Sequence, residues 1–390
     1  MWQASIHASA LPTGLPLYGI FAPGLRPLAM ASANSMRTPW WAWTWPALAL
    51  VILAVHVTLA AGTVLAVAEA VALITTVFAA VYHAEVVAHR VGEPFGTLVL
   101  ALAVTIIEVA LIVSMMITGG TDASGLARDT VFAAVMIVCN GIVGLCLLTG
   151  GVRHREQSFQ LQGTNAALSI LIVLTTLTLI FPNYTTSASG PTFSSSQLVF
   201  AAVVSLILYG SFLFVQTFRH RDYFLPTEGG QEADAPSPPN RVALISAALL
   251  GVSLVLVVAL AKALTPTLER ALAAVGAPTT VVGIMIAGLV LLPEGLASFR
   301  AAQANRLQVS MNLAFGSVLA TIGLTIPAVA SVSLVLSKPL TLGLGAKEEV
   351  LLVLTLAVSL LTLGTGRTTV LQGIVHIFLF AVFLFLAVVP

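Results

Sequence analysis

Charge is scarce in this sequence. Of its 390 residues only 8% are Asp, Glu, Lys or Arg, against about a quarter in an ordinary soluble domain. So small a stock cannot cover a water-facing surface, which excludes a soluble globular fold. The net charge is +1 and no basic cluster occurs, so nothing is built to hold the phosphates of a nucleic acid. Cysteine is nearly absent too. Cys139 and Cys146 lie seven residues apart in one apolar run, two helical turns along one face and too far apart for a bridge. Neither a disulfide framework nor zinc-type spacing exists. The HExxH and GxSxG patterns of common hydrolases are missing as well.

What remains is hydrophobic, 58% of the chain, with a mean hydropathy of +1.04. That is the composition of an integral membrane protein, with lipid as its surroundings and no cofactor called for. Apolar runs long enough to span about 30 Å fall at roughly 42–60, 64–88, 96–118, 129–150, 164–181, 197–218, 241–264, 279–299, 308–336, 348–363 and 368–389. The reading is an all-α polytopic protein of about eleven transmembrane helices, the tenth of them short enough to be tilted or broken.

Residues 1–40 read as a flexible extension rich in Pro, Gly, Ala and Ser, and 41–62 as a spanning helix behind an aromatic cluster, MRTPWWAWTW. The longest polar break, residues 219–240, contains LPTEGGQEADAPSPPN. Acidic and Pro-rich, it cannot build a core and reads as a linker. When loops are assigned to alternating sides, eleven Lys and Arg fall on the side of the N-terminus and five on the other. The excess marks the cytoplasm, so the N-terminus and the linker are expected there.

Two carboxylates interrupt the apolar runs. Glu108 lies in LALAVTIIEVALIV, and Glu294 in VGIMIAGLVLLPEGLASFRAA. Registered on these acids, residues 63–218 and 241–390 form two sets of five helices, each with its glutamate in the second. An odd number of helices per set inverts the second copy, so the halves are related by a pseudo-two-fold axis in the membrane plane. A site at their interface then lies near the midplane. The preceding helix is an extra one. Charges at membrane depth cost about 2.5–3.5 kcal/mol each on insertion scales, so two at matching places argue for function over packing.

Neighbours are candidates to line the site. Thr105 is one turn before Glu108 on the same face. Asn140, in NGIVGL, and Ser317, in GSVLATIGL, lie in the following helices beside small residues. Pro293 removes the helical partner of the Leu289 carbonyl, and a broken helix is expected at Pro293–Gly295. Two glutamates with hydroxyl, amide, carbonyl and water oxygens suit a hard cation such as calcium, which takes six to eight oxygens. With the cation gone, burial and mutual repulsion favour the protonated acids. Metal and protons then exclude each other on one site, which is the physical basis of exchange.

The stretches HRVGEPFGTLVLALAVTIIEVALI, RDTVFAAVMIVCNGIVGLCLLTGG, LLPEGLASFRAAQANRLQVSMNLAFGSVLATIGLTIP and GTGRTTVLQGIVHIFLF resemble the bacterial calcium/proton antiporters of the ChaA type, within the cation/calcium exchanger superfamily. The resemblance runs from about residue 40 to the end. It implies ten core helices in two inverted sets plus an extra N-terminal helix. It also implies that Glu108 and Glu294 bind the cation and exchange protons. The expected function is export of cytoplasmic calcium against entering protons across the bacterial inner membrane. Members differ in cargo, and sodium or potassium is the alternative. Oligomeric state stays open. A cytoplasmic patch in YHAEVVAHRVGEP, comprising His83, Glu85, His89 and Glu93, is a candidate pH or cation sensor, since histidine titrates near neutrality.

Overall fold

In lipid no water is at hand for backbone groups, so each apolar run must satisfy its own N–H and C=O groups and becomes a helix. The computed structural model of the chain describes residues 38–58, 62–92, 95–118, 124–225, 238–274, 278 and 280–389. Among these, eleven long helices follow in order. They are α1 Trp40–Thr58, α2 Thr63–Val91, α3 Phe95–Thr118, α4 Leu126–His154, α5 Leu161–Asn183, α6 Ser195–Arg219, α7 Asn240–Ala274, α8 Thr280–Gln303, α9 Leu307–Leu336, α10 Ala346–Leu363 and α11 Val370–Val388. Ten are long and apolar enough to cross a membrane. The exception, α10, is an unbroken helix of 18 residues with Lys347, Glu348 and Glu349 in its first turn. The two acids there face the positive end of the helix dipole. The extension and the central part of the linker, with Glu228, Glu232 and Asp234, lie outside the described residues.

Helix packing repeats under the exchange of α2–α6 with α7–α11. The first helices of the two sets, α2 and α7, pack along each other. The helix α4 lies against α8 and α11, and its counterpart α9 lies against α3 and α6. Connections obey the same rule. On the face where α1 begins, strand β1 (Glu156–Ser158), between α4 and α5, pairs antiparallel with β2 (Arg367–Thr369), between α10 and α11. On the opposite face the α9–α10 connection pairs with the α5–α6 region. Leu342 and Gly343 donate to the Pro191 carbonyl, and Leu344 donates to that of Leu179. Two five-helix sets of opposite orientation account for all of these pairings.

The centre is formed by α4 and α9, whose spans are 72% and 67% buried, whereas α1 and α11 are only 17% and 22% buried. Small residues make the central crossings close. A Cβ on Gly373 of α11 would collide with the Leu148 backbone nitrogen of α4, and one on Gly323 of α9 would lie 2.5 Å from Tyr209 Cβ of α6. Backbone cannot yield as a flexible side chain does. Gly373→Ala is therefore expected to destabilise the protein by about 1–3 kcal/mol, read as a lowered melting midpoint of the purified membrane protein.

Irregularity sits elsewhere than expected. α8 runs through Pro293 and Gly295 without a break, because losing one hydrogen bond does not open a helix gripped on both sides by α4 and α9. The deep distortions are π-turns, wider turns that carry an extra residue. Besides Thr176–Ile180 in α5 and Val215–Arg219 in α6, they occur at corresponding places in the two central helices, Ile137–Ile142 in α4 and Thr321–Thr325 in α9.

The extra helix α1 is fastened to α2 at both ends. His56 Nδ1 is 2.6 Å from Glu69 Oε1, and His83 Nε2 bonds the Ala42 carbonyl at 3.1 Å. Trp41, Trp45 and Tyr82 cluster beside the second of these contacts, Tyr82 meeting Trp41 edge-on, a position suited to amphipathic rings at a membrane interface.

Candidate functional site

Glu108 is held on the face of α3 that also buries Val104, Ile107 and Leu111, and it is only 1% exposed. Its carboxylate meets the π-turn of α9. The Thr325 hydroxyl donates to Oε2 at 3.0 Å, and the Thr321 hydroxyl faces the same group. Oε1 is buried and unpartnered. Glu294, on α8, has its Oε2 buried and unpartnered as well. The charges that act on Glu294 are the carboxylates of Glu85 and Glu108. One acid from each repeat thus lies within electrostatic range of the other.

A buried carboxylate oxygen with no donor is costly. It is stable with a proton on it or a cation beside it, and two such oxygens make a place where either can reside. Among the described residues no three His, Cys, Asp or Glu side chains form a metal-holding group. A cation here would draw on two carboxylates, hydroxyls, backbone carbonyls and water. That donor set suits hard, weakly held cations better than a resident transition metal.

The other candidates scatter. Thr105 is buried on α3 one turn before Glu108, and Pro293 adjoins Glu294 inside the continuous α8. Ser317 is half-buried and precedes the α9 π-turn. The hydroxyls that reach Glu108 are those of Thr321 and Thr325, one and two turns further on. Asn140 uses its amide on other partners. Its Nδ2 donates to Thr355 Oγ1 of α10 at 2.9 Å, and its Oδ1 is 3.0 Å from His376 Nδ1 of α11.

The four residues of the patch at the end of α2 differ in setting. His83 is fully buried between α1 and α2, Glu85 and His89 are exposed, and Glu93 lies outside the described residues. Sequence reading missed Thr321 and Thr325. The threonines were visible, four residues apart in the motif GSVLATIGLTIP, but register on Glu108 and Glu294 put weight on Ser317.

Opposed five-helix repeats around a pair of buried acids define a multi-pass membrane transporter of inorganic ions, with no enzymatic chemistry. Residues 61–218 and 245–389 match the family described as sodium/calcium exchanger protein, and the chain belongs to that family. It is 51% identical over 360 residues to y4hA of Sinorhizobium fredii, an ionic transporter by name, covering 92% of this chain and 98% of that one. It is 39% identical over 318 residues to the sodium-potassium/proton antiporter ChaA of Escherichia coli, covering 80% and 86%. Among solved structures, the Ca2+/H+ antiporter protein YfkE shares the fold, with a TM-score of 0.68 at 14% identity over 90% of this chain and 98% of that one.

Proposed function

We propose that the chain exchanges cytoplasmic calcium for external protons by alternating access, with Glu108 and Glu294 taking either the cation or protons. The observation that supports it is that each repeat carries one glutamate with a buried, unpartnered carboxylate oxygen, and that the charge of Glu108 acts on Glu294. Charge favours a divalent cargo. Two ionised glutamates carry two negative charges, and one calcium or two protons neutralise them, whereas one sodium or potassium leaves a bare charge unless a proton accompanies it. In a medium of effective dielectric about 20, such a charge 4 Å from another is worth about 4 kcal/mol.

The same reading divides the chain into the extra helix at 41–62, repeats at 63–218 and 241–390, and a linker at 219–240. It places the N-terminus and linker in the cytoplasm of a cell whose inner membrane holds the protein. Sodium or potassium/proton exchange is the second reading, favoured by the activity for which ChaA is named.

Reconstituted protein under an imposed pH gradient, challenged with calcium, sodium and potassium in turn, separates the two. Calcium-driven collapse of the gradient is expected. Collapse by sodium or potassium with none by calcium replaces the first reading by the second.

A further inference from the structure

We infer that His376 is a positioning residue for exchange: it latches the π-turn of α4 from behind, while the front of that turn bears on the segment carrying Glu294. This rests on Glu294 being half of the exchange site, as proposed above.

His376 is wholly buried in α11. Its Nδ1 lies 3.0 Å from Asn140 Oδ1 and its Nε2 lies 3.1 Å from Thr362 Oγ1 of α10. The backbone carbonyl of Cys139 lies close to the ring. Asn140 uses Nδ2 on Thr355 Oγ1, with Met136 Sδ nearby at 3.8 Å. That leaves only its acceptor oxygen for the histidine, so Nδ1 carries the proton and Nε2 accepts from the Thr362 hydroxyl. Donation then runs one way, from Thr362 to His376 to Asn140 to Thr355, and ends on the Met136 sulfur at 3.4 Å. The network is satisfied with the histidine neutral, and it ties α4, α10 and α11 together.

Asn140, which His376 grips, and Cys139, beside the ring, both belong to the π-turn. A π-turn replaces α-helical bonds by wider ones, such as that from the Val143 N–H to the Val138 carbonyl, and an outside side chain fixes where the turn stands. Ile142, the last residue of the turn, packs on Gly295, where an added Cβ would lie 3.1 Å from Ile142 Cδ1. Gly295 directly follows Glu294. The matching turn of α9 sends hydroxyls to Glu108. The two halves of the site are therefore built differently. Where α9 supplies donors, α4 supplies a wall, and His376 fixes where that wall stands.

The test is initial-rate exchange in reconstituted vesicles, with calcium as the first cation and potassium as the second. His376→Phe and Asn140→Leu should each raise the cation KM about tenfold, with the maximal rate within about threefold of wild type. The double variant should fall no more than about twofold below the worse single, since the two act as one unit. His376→Asn, whose amide overlays Nδ1 and can still donate to Asn140, should stay within about threefold of wild type. Should His376→Phe fail to accumulate in membranes, Thr355→Val removes the α10 anchor of Asn140 and must reproduce the KM rise. An unchanged KM, or effects that multiply in the double variant, overturns the inference. A normal His376→Phe beside an inactive Glu294→Gln removes only this inference, whereas an active Glu294→Gln removes the reading beneath it.

Discussion

Glu108→Gln is expected to abolish exchange, by more than about 100-fold, with the fold retained. The amide has the shape of the acid and keeps an oxygen to accept from Thr325, now 3.0 Å away, so packing is conserved. It cannot ionise. A cation about 4 Å from a carboxylate gains about 4 kcal/mol in a medium of effective dielectric about 20, worth nearly a thousandfold in affinity. The proton half of the cycle is lost as well, since the amide neither takes up nor releases one. Glu294→Gln should fail in the same way. Everted vesicles carrying each variant, matched for protein amount, would show no cation-driven collapse of a pH gradient. Wild-type rates in either would falsify the assignment of that residue.

Removing both hydroxyls beside Glu108 should have the next largest effect. Thr321→Val with Thr325→Val preserves shape and leaves the carboxylate without its donors. Hydrogen bonds to a charged group contribute about 1.5–3 kcal/mol each, so cation KM should rise by at least about tenfold, most of it already present in Thr325→Val alone. Ser317→Ala should leave KM near the wild-type value, because Ser317 stands before the π-turn and Thr325 makes the bond. Rate against cation concentration, taken at two pH values, decides this. Protons compete for the same oxygens, so lower pH should raise KM in every active form. A double valine variant with wild-type KM would assign the threonines to packing alone.

Legibility differed by element. Helix positions were readable because lipid demands about twenty apolar residues per crossing, and the runs at 96–118 and 308–336 match α3 and α9 nearly end to end. Glu108 and Glu294 stood out because an acid in such a run is rare. Asn140 was read by analogy of position with Ser317, but its hydrogen bonds go to Thr355 and His376. A π-turn adds a residue and rotates the rest of its helix by roughly 100°. Whether Asn140 looks at the glutamates or at His376 thus depends on where the turn widens, and no local propensity marks that place. Pro293 misled in the opposite direction. Its lost hydrogen bond was foreseeable, but α4 and α9 on either side of α8 keep the helix whole.

Composition and periodicity by themselves determined that this chain is a bundle of membrane helices in two opposed sets, each with an acid in its second helix. Lipid allows few solutions, and those are written locally. Tertiary contact alone decided that Thr325 serves Glu108, that Asn140 and His376 form a network behind α4, and that His83 is buried against α1. These partners lie 217, 236 and 41 residues apart in the chain. At such separations only the packing of helices, with close approach set by Gly323 and Gly373, chooses which side chains meet.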